Sequence, residues 1–255
     1  MYNKEDKPKE INENQLEGRN AVLELLKSGK DIDKIIVAKG NVEGTIKRII
    51  GEASKKGIVI QEVARQKLDE MSQTKNHQGV IAFASAHSYA TVDDIFENAK
   101  NKGEAPFIII LDGITDPHNL GAIMRTAECA GAHGIIIPKR RSVGLTATVG
   151  KTSAGAIEYM PVAKVTNIAN TIEELKEKGV WVACTDMDGE NYFNADLKGP
   201  MAVVIGSEGE GVSRLVKEKC DFTVSIPMYG NISSLNASVA AGLIMYEIVR
   251  KRRFI

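Results

Sequence analysis

The sequence has few of the residues that build metal centres and disulfide frameworks. There are 3 cysteines in 255 residues, Cys129, Cys184 and Cys220. They are far apart and each lies in a largely apolar neighbourhood, so they read as buried thiols rather than as partners in a disulfide framework. The 4 histidines, His77, His87, His118 and His133, show no zinc-like spacing, so no metal site is expected. No apolar run is long enough to span a bilayer, and no membrane association is expected. The charged first 14 residues lack the apolar centre of a secretory signal, and a cytoplasmic location is the expectation. Net charge is missing as well. The 33 Lys and Arg equal the 33 Asp and Glu, which argues against a nonspecific polyanion binder.

What is present is a 43% hydrophobic chain, long enough for two modest domains. Residues 1–14 read as a disordered tail, and residues 15–86 as a small α/β domain. In that domain, helices are expected over Asn20–Lys27 and Val42–Lys56. Strands are expected over Asp33–Ala38, Ile58–Ile60 and Gly79–Ser85. Residues 87–104 read as a linker carrying one short helix, with Thr91 as its N-cap.

From residue 105 to 255 the pattern changes. Continuous apolar runs at Phe107–Leu111, Gly134–Ile137, Val180–Ala183 and Ala202–Ile205 alternate with helical segments, Leu120–Cys129 and Asn167–Lys178. Runs of this kind belong to parallel strands buried on both faces, so an open, mostly parallel α/β sheet is expected. Basic charge is clustered at Lys139–Arg141 and at Arg250–Arg253. Each cluster fits solvated surface charge, and the two together fit a phosphate track.

Three stretches carry polar groups where an open sheet binds ligands, beyond the carboxyl ends of strands. In Leu111–Ala127, a strand runs through Asp116-Pro117 into a helix bearing Asn119 and Arg125. Capping and a salt bridge would explain these two residues; so would holding a hydroxyl and a phosphate. In Val204–Val212, the glycines are spaced G-x-x-G-x-G, which is not a dinucleotide fingerprint. Glu208 is the carboxylate of that turn. In Ser225–Glu247, a buried strand Phe222–Ile226 turns at Pro227 and passes Gly230 and Asn231. The N-cap candidates Ser233, Ser234 and Asn236 then precede a helix, Val239–Val249, that is almost wholly apolar. A helix without a polar face must bury its second side, and a second subunit is the expected cover.

D-P-x-N-x-G-A-I-x-R-T-A, G-S-E-G-x-G-V and I-P-M-x-G…S-L-N-x-S, in this order, resemble the three motifs of the SpoU family. These are 2′-O-ribose RNA methyltransferases of the knotted SPOUT superfamily. Ala237 stands where the family often has valine. G-R-N-A-V-L and His77-Gln78-Gly79 resemble the amino-terminal domain of the branch that methylates a guanosine in 23S rRNA. That domain is similar to small ribosomal proteins and is thought to hold RNA.

The resemblance implies S-adenosylmethionine as cofactor, RNA as partner, a deep trefoil knot and a homodimer built on the last helix. It implies site roles for Asn119, Arg125, Glu208, Ser234 and Asn236, with the cofactor held by backbone groups around Gly206, Ile226, Met228 and Leu235. Arginine makes a poor base, so Arg125 suits orientation better than proton removal. Glu208 is the other candidate for accepting the proton. The alternatives are the same chemistry on tRNA or on an antibiotic-target rRNA site, or a non-catalytic RNA-binding protein on this scaffold.

Overall fold

The structure, a computed structural model, describes residue 12, residues 14–40 and residues 44–254. The expected tail of residues 1–14 lies almost entirely outside the described residues, as does the start of the helix expected from Val42. The chain forms two compact units, residues 1–86 and 87–255.

The first unit runs β1 (Gln15–Glu17), α1 (Arg19–Lys27), β2 (Ile32–Ala38), α2 (Thr45–Lys55), β3 (Ile60–Val63), α3 (Arg65–Met71) and β4 (Val80–Ala84). Its sheet has the order β1-β4-β2-β3. β4 is antiparallel to β1 and β2, and β3 is parallel to β2. Strand alternation explains the layering. Ile35 and Val37 of β2 face Val22 and Leu26 of α1 and Ile46 and Ile49 of α2. Ile36 and Ala38 face the other way, onto Leu68 of α3. The strand expected at Ile58–Ile60 begins at Ile60 and continues to Val63, because pairing with Ile35–Ala38 sets its register.

A polar turn before β4 is tied down from within this unit. The Glu17 carboxylate accepts from Ser72 Oγ at 2.7 Å, Gln73 N at 2.6 Å, Gln15 Nε2 at 2.7 Å and Thr74 N at 3.2 Å. The Thr74 hydroxyl donates to it as well. Burial alone would raise this carboxyl, but the hydrogen bonds, led by Thr74, together hold it down at about 2. His77 is buried. Its Nδ1 accepts from Gly79 N at 3.0 Å, so its ring hydrogen sits on Nε2, 2.7 Å from Asp69 Oδ1.

The second unit runs α4 (Val92–Asn101), β5 (Phe107–Asp112), α5 (Pro117–Cys129), β6 (Gly134–Pro138), α6 (Ala147–Thr152), β7 (Val162–Val165), α7 (Ile168–Glu177), β8 (Trp181–Asn191), β9 (Met201–Gly206), α8 (Arg214–Lys219), β10 (Phe222–Ser225) and α9 (Ala237–Arg253). The six strands are all parallel, in the order β10-β8-β9-β5-β6-β7. Helices α5, α6 and α9 cover one face and α4, α7 and α8 the other, so the central strands β5 and β9 are buried on both sides.

Three expectations change. The stretch 87–104 belongs to the second unit. Thr91 and Asp94 form a reciprocal capping box at the start of α4, and Ile95 and Ala99 are buried. A Cβ on Gly134 would meet Ile95 at 2.4 Å, so only glycine allows α4 this close to β6. The strand expected to be buried, at Phe222–Ile226, is the edge strand β10, ending at Ser225 and fully buried only at Val224. Cys129 is exposed, on the solvent side of α5. Cys184 is buried, and a hydrogen bond from Cys220 outweighs burial to lower its thiol to about 7. In α9, one stripe packs into the unit itself and a second does not. Ala241, Ile244, Met245 and Ile248 are buried in the unit's own core, while Val239, Leu243 and Tyr246 are 50%, 40% and 51% exposed.

Candidate active site

β9 ends in the glycine turn. Ser207 and Gly211 exchange backbone hydrogen bonds of 3.1 and 3.0 Å, which folds residues 207–211 back on themselves. A Cβ on Gly206 would lie 2.1 Å from the Gly211 carbonyl carbon, so the turn closes only over a glycine. The Asp112 carboxylate, at the end of β5, anchors the far side by accepting from Ser213 N at 2.8 Å and Ser213 Oγ at 2.6 Å.

This turn carries Glu208 to the start of two helices. Asn119 Nδ2 donates to Glu208 Oε1 at 2.9 Å, and Asn236 Nδ2 donates to the same oxygen. Ala237 N reaches it at 3.3 Å. Asn236 Nδ2 also donates to Asn119 Oδ1 at 2.9 Å, closing a triangle of side chains. The helix fixes which way the Asn236 amide points. Asn236 is the N-cap of α9, and its Oδ1 accepts from Ser238 N at 2.9 Å and Val239 N at 3.4 Å. Its NH₂ group is left to face Glu208. Asn119 is not a cap, because Asp116 takes that role at the start of α5 by accepting from His118 N at 2.8 Å. Among the described residues, Glu208 Oε2 has no hydrogen-bond partner. One carboxylate oxygen is thus saturated and the other is open.

Beside the triangle lies a cavity of about 370 Å³ at the carboxyl ends of β8, β9 and β10. Gly206, Ile226, Met228, Ser234 and Leu235 line it, as does Glu208. The lining combines the apolar residues Ile205, Val224, Ile226 and Leu235 with the acidic residues Asp186, Glu208 and Glu210, of which Asp186 is paired with Lys217 at 2.8 Å. Such a lining suits a ligand with a flat apolar part and a positive centre, held by backbone groups of the glycine turn. The donor and acceptor set thus fits an adenosine joined to a sulfonium amino acid.

Arg125 stands apart. It lies six residues beyond Asn119 on a regular helix, about 240° round its axis. It is exposed and makes no hydrogen bond or ion pair among the described residues. The sequence reading missed Thr185, Asp186 and Met187, which line the cavity from the end of β8. Their place just past the apolar run Val180–Ala183 was the available signal. Among the described residues, no group of three or more His, Cys, Asp or Glu is placed to hold a metal, and no helix is long and apolar enough to cross a membrane.

Residues 106–246 match the model of the SpoU rRNA Methylase family, and residues 15–90 match that for RNA 2′-O ribose methyltransferase substrate binding. The chain is 57% identical over 236 residues to YacO of Bacillus subtilis, named as a TrmH family tRNA/rRNA methyltransferase, covering 92% of this chain and 94% of that protein. A protein of Staphylococcus saprophyticus with the same family name is 49% identical over 239 residues, covering 93% and 96%. Two solved structures share the fold at lower identity. The SpoU methyltransferase AviRb of Streptomyces viridochromogenes, in complex with AdoMet, has a TM-score of 0.58 at 23% identity, covering 93% of this chain and 89% of that one. An AdoMet-bound rRNA methyltransferase of Sinorhizobium meliloti has a TM-score of 0.58 at 24% identity, covering 92% and 86%. The two matched models, the two close relatives and the three motifs in order lead to one conclusion: this chain belongs to the SpoU family of RNA ribose methyltransferases.

Proposed function

We propose that the chain methylates the 2′-hydroxyl of a ribose, that of a guanosine in 23S rRNA, with S-adenosylmethionine as methyl donor. The observation that carries the reading is the Asn119–Glu208–Asn236 triangle at the edge of the cavity. S-adenosylmethionine supplies a methyl group activated on a sulfonium sulfur. The protein's part is chiefly orientation, which can supply ~7–11 kcal/mol of the barrier reduction. Asn119 and Asn236 fix Glu208 through Oε1. The open Oε2 is then available to orient the ribose hydroxyl and take its proton. Arg125 offers no acceptor, and its planar fork, on the exposed side of α5 away from the triangle, suits a phosphate of the bound RNA. Ser234 and the backbone around Gly206, Ile226, Met228 and Leu235 hold the cofactor against the apolar walls.

Residues 15–86 serve as the RNA-holding domain in this reading, and residues 1–14 as its tail. The exposed stripe of Val239, Leu243 and Tyr246 lines a groove of about 700 Å³ with Ala122 and Thr126. We assign that groove to a homodimer contact, since burying three such side chains removes apolar area from water at ~25 cal/mol per Å². The family's trefoil knot and a cytoplasmic location belong to the same proposal. Transfer of labelled methyl from S-adenosylmethionine to total rRNA and to tRNA, with the product mapped, tests it. Label at a guanosine ribose of 23S rRNA is expected. Label confined to tRNA would move the substrate, and none in either pool would leave a non-catalytic RNA-binding protein.

A further inference from the structure

The second unit contains seven arginines, at positions 125, 140, 141, 214, 250, 252 and 253. Four are satisfied by the protein. Arg214 pairs with Glu218, Arg250 with Glu247, Arg253 with Glu104, and Arg252 donates to the Ala105 carbonyl. Arg125, Arg140 and Arg141 make no hydrogen bond or ion pair among the described residues. All three lie on the segments that leave the carboxyl ends of the adjacent strands β5 and β6.

The turn bearing Arg140 and Arg141 is held at both ends. Lys139 N donates to the Val165 carbonyl at 2.8 Å, and Ser142 Oγ donates to the Pro138 carbonyl. Val143 N donates to the Ile114 carbonyl at 3.0 Å, which fastens the turn to the segment leading into α5, the helix of Asn119 and Arg125. Arg141 has a φ of 58°, a left-handed conformation that glycine or asparagine adopts far more readily. A long cation kept in a costly conformation with no partner points to a use outside the folded chain.

We propose that Arg140 and Arg141 grip the phosphodiesters of the RNA strand flanking the target ribose, as positioning residues. The inference rests on the reading that RNA is the substrate. Guanidinium forks match phosphate oxygens in pairs, and phosphate contacts set the register of a strand without reading its bases. The cavity opens at β8, β9 and β10, and β6 lies two strands from β9. The turn is therefore roughly 10 Å to the side of the nearest strand at the cavity. None of the residues lining the cavity comes from this turn, so the two arginines serve the RNA rather than the cofactor.

The test uses the full chain carrying R140Q with R141N, since asparagine tolerates the left-handed position. A second variant, R140K with R141K, keeps the charge. The readouts are methyl transfer to total rRNA and tRNA, binding of the accepting RNA across salt concentrations, and S-adenosylmethionine affinity. In the uncharged variant the KM for RNA is expected to rise at least about tenfold. Its log–log salt slope should fall by about 1.4, that is ~0.7 for each of two single-strand phosphate contacts. kcat at saturating RNA and cofactor affinity should stay within about twofold of the unaltered chain. The lysine variant is expected to restore the salt slope but not the full KM. Unchanged KM and unchanged slope in the uncharged variant, with the unaltered chain active, would overturn this inference alone. No methyl transfer to either pool by the unaltered chain would overturn the functional reading and this inference with it.

Discussion

At the scale of single residues, two carboxylates with the same side chain do different work. Glu208 spends one oxygen on Asn119, Asn236 and Ala237 and leaves the other open. Glu208→Gln keeps an oxygen to accept those hydrogen bonds but removes the proton acceptor. Methyl transfer is expected to fall by ~10²–10⁴, with the melting temperature nearly unchanged; a variant that retains more than half of the activity would remove Glu208 from the chemistry. Glu17 is structural. Its carboxyl lies at about 2 in the folded chain against an ordinary 4.5, so the folded state binds the proton less well than the unfolded one. Its contribution is complete above about pH 4.5 and is lost as the pH falls toward 2. After allowance for solvent screening it amounts to ~1–2 kcal/mol. Denaturant midpoints at pH 7 and pH 3 should differ less in Glu17→Gln than in the unaltered chain, and equal differences would contradict this account.

At the scale of elements, what the sequence disclosed depended on how much of each element is buried. The apolar runs of β5, β6 and β9 were legible because both of their faces lie in the core. Thr91 announced its helix as a cap. β1, with three half-buried residues, and α3, with Leu68 alone buried, carry too little pattern to be seen. β8 runs on to Asn191 through polar residues because its second half pairs only with the edge strand β10. The triangle of Asn119, Glu208 and Asn236 was reachable through motifs alone, since no local rule joins residues 89 and 117 positions apart. The apolar character of α9 was legible, but not which stripe stays outside. That stripe gives a prediction: Leu243→Glu puts charge where the isolated chain already exposes the side chain. Folding should be preserved within about 0.5 kcal/mol, while sedimentation at micromolar concentration shifts from dimer to monomer. A dimer that survives the substitution would move the contact elsewhere.

At the scale of the molecule, each unit has its own hydrophobic cores, and every group of the triangle and the cavity lies in residues 87–255. A chain of residues 87–255, with α4 retained to cover Gly134, is expected to bind S-adenosylmethionine as the whole protein does. Calorimetry finding no binding to the folded fragment would contradict this. The fragment should lose RNA affinity and show a shallower salt dependence, because phosphate contacts made by residues 15–86 would be gone. Titrations of RNA at two salt concentrations measure both effects.

The Asn236 amide has one further consequence. Its oxygen closes the first turn of α9 while its nitrogen holds Glu208. Whenever that first turn frays, the triangle loses a corner, so local opening of the helix and disassembly of the site are a single event. A ligand that settles against Glu208 must then slow the opening. The amides of Ser238 and Val239, which the Asn236 oxygen caps, should exchange with solvent deuterium more slowly once the cavity is filled, although neither residue lines it.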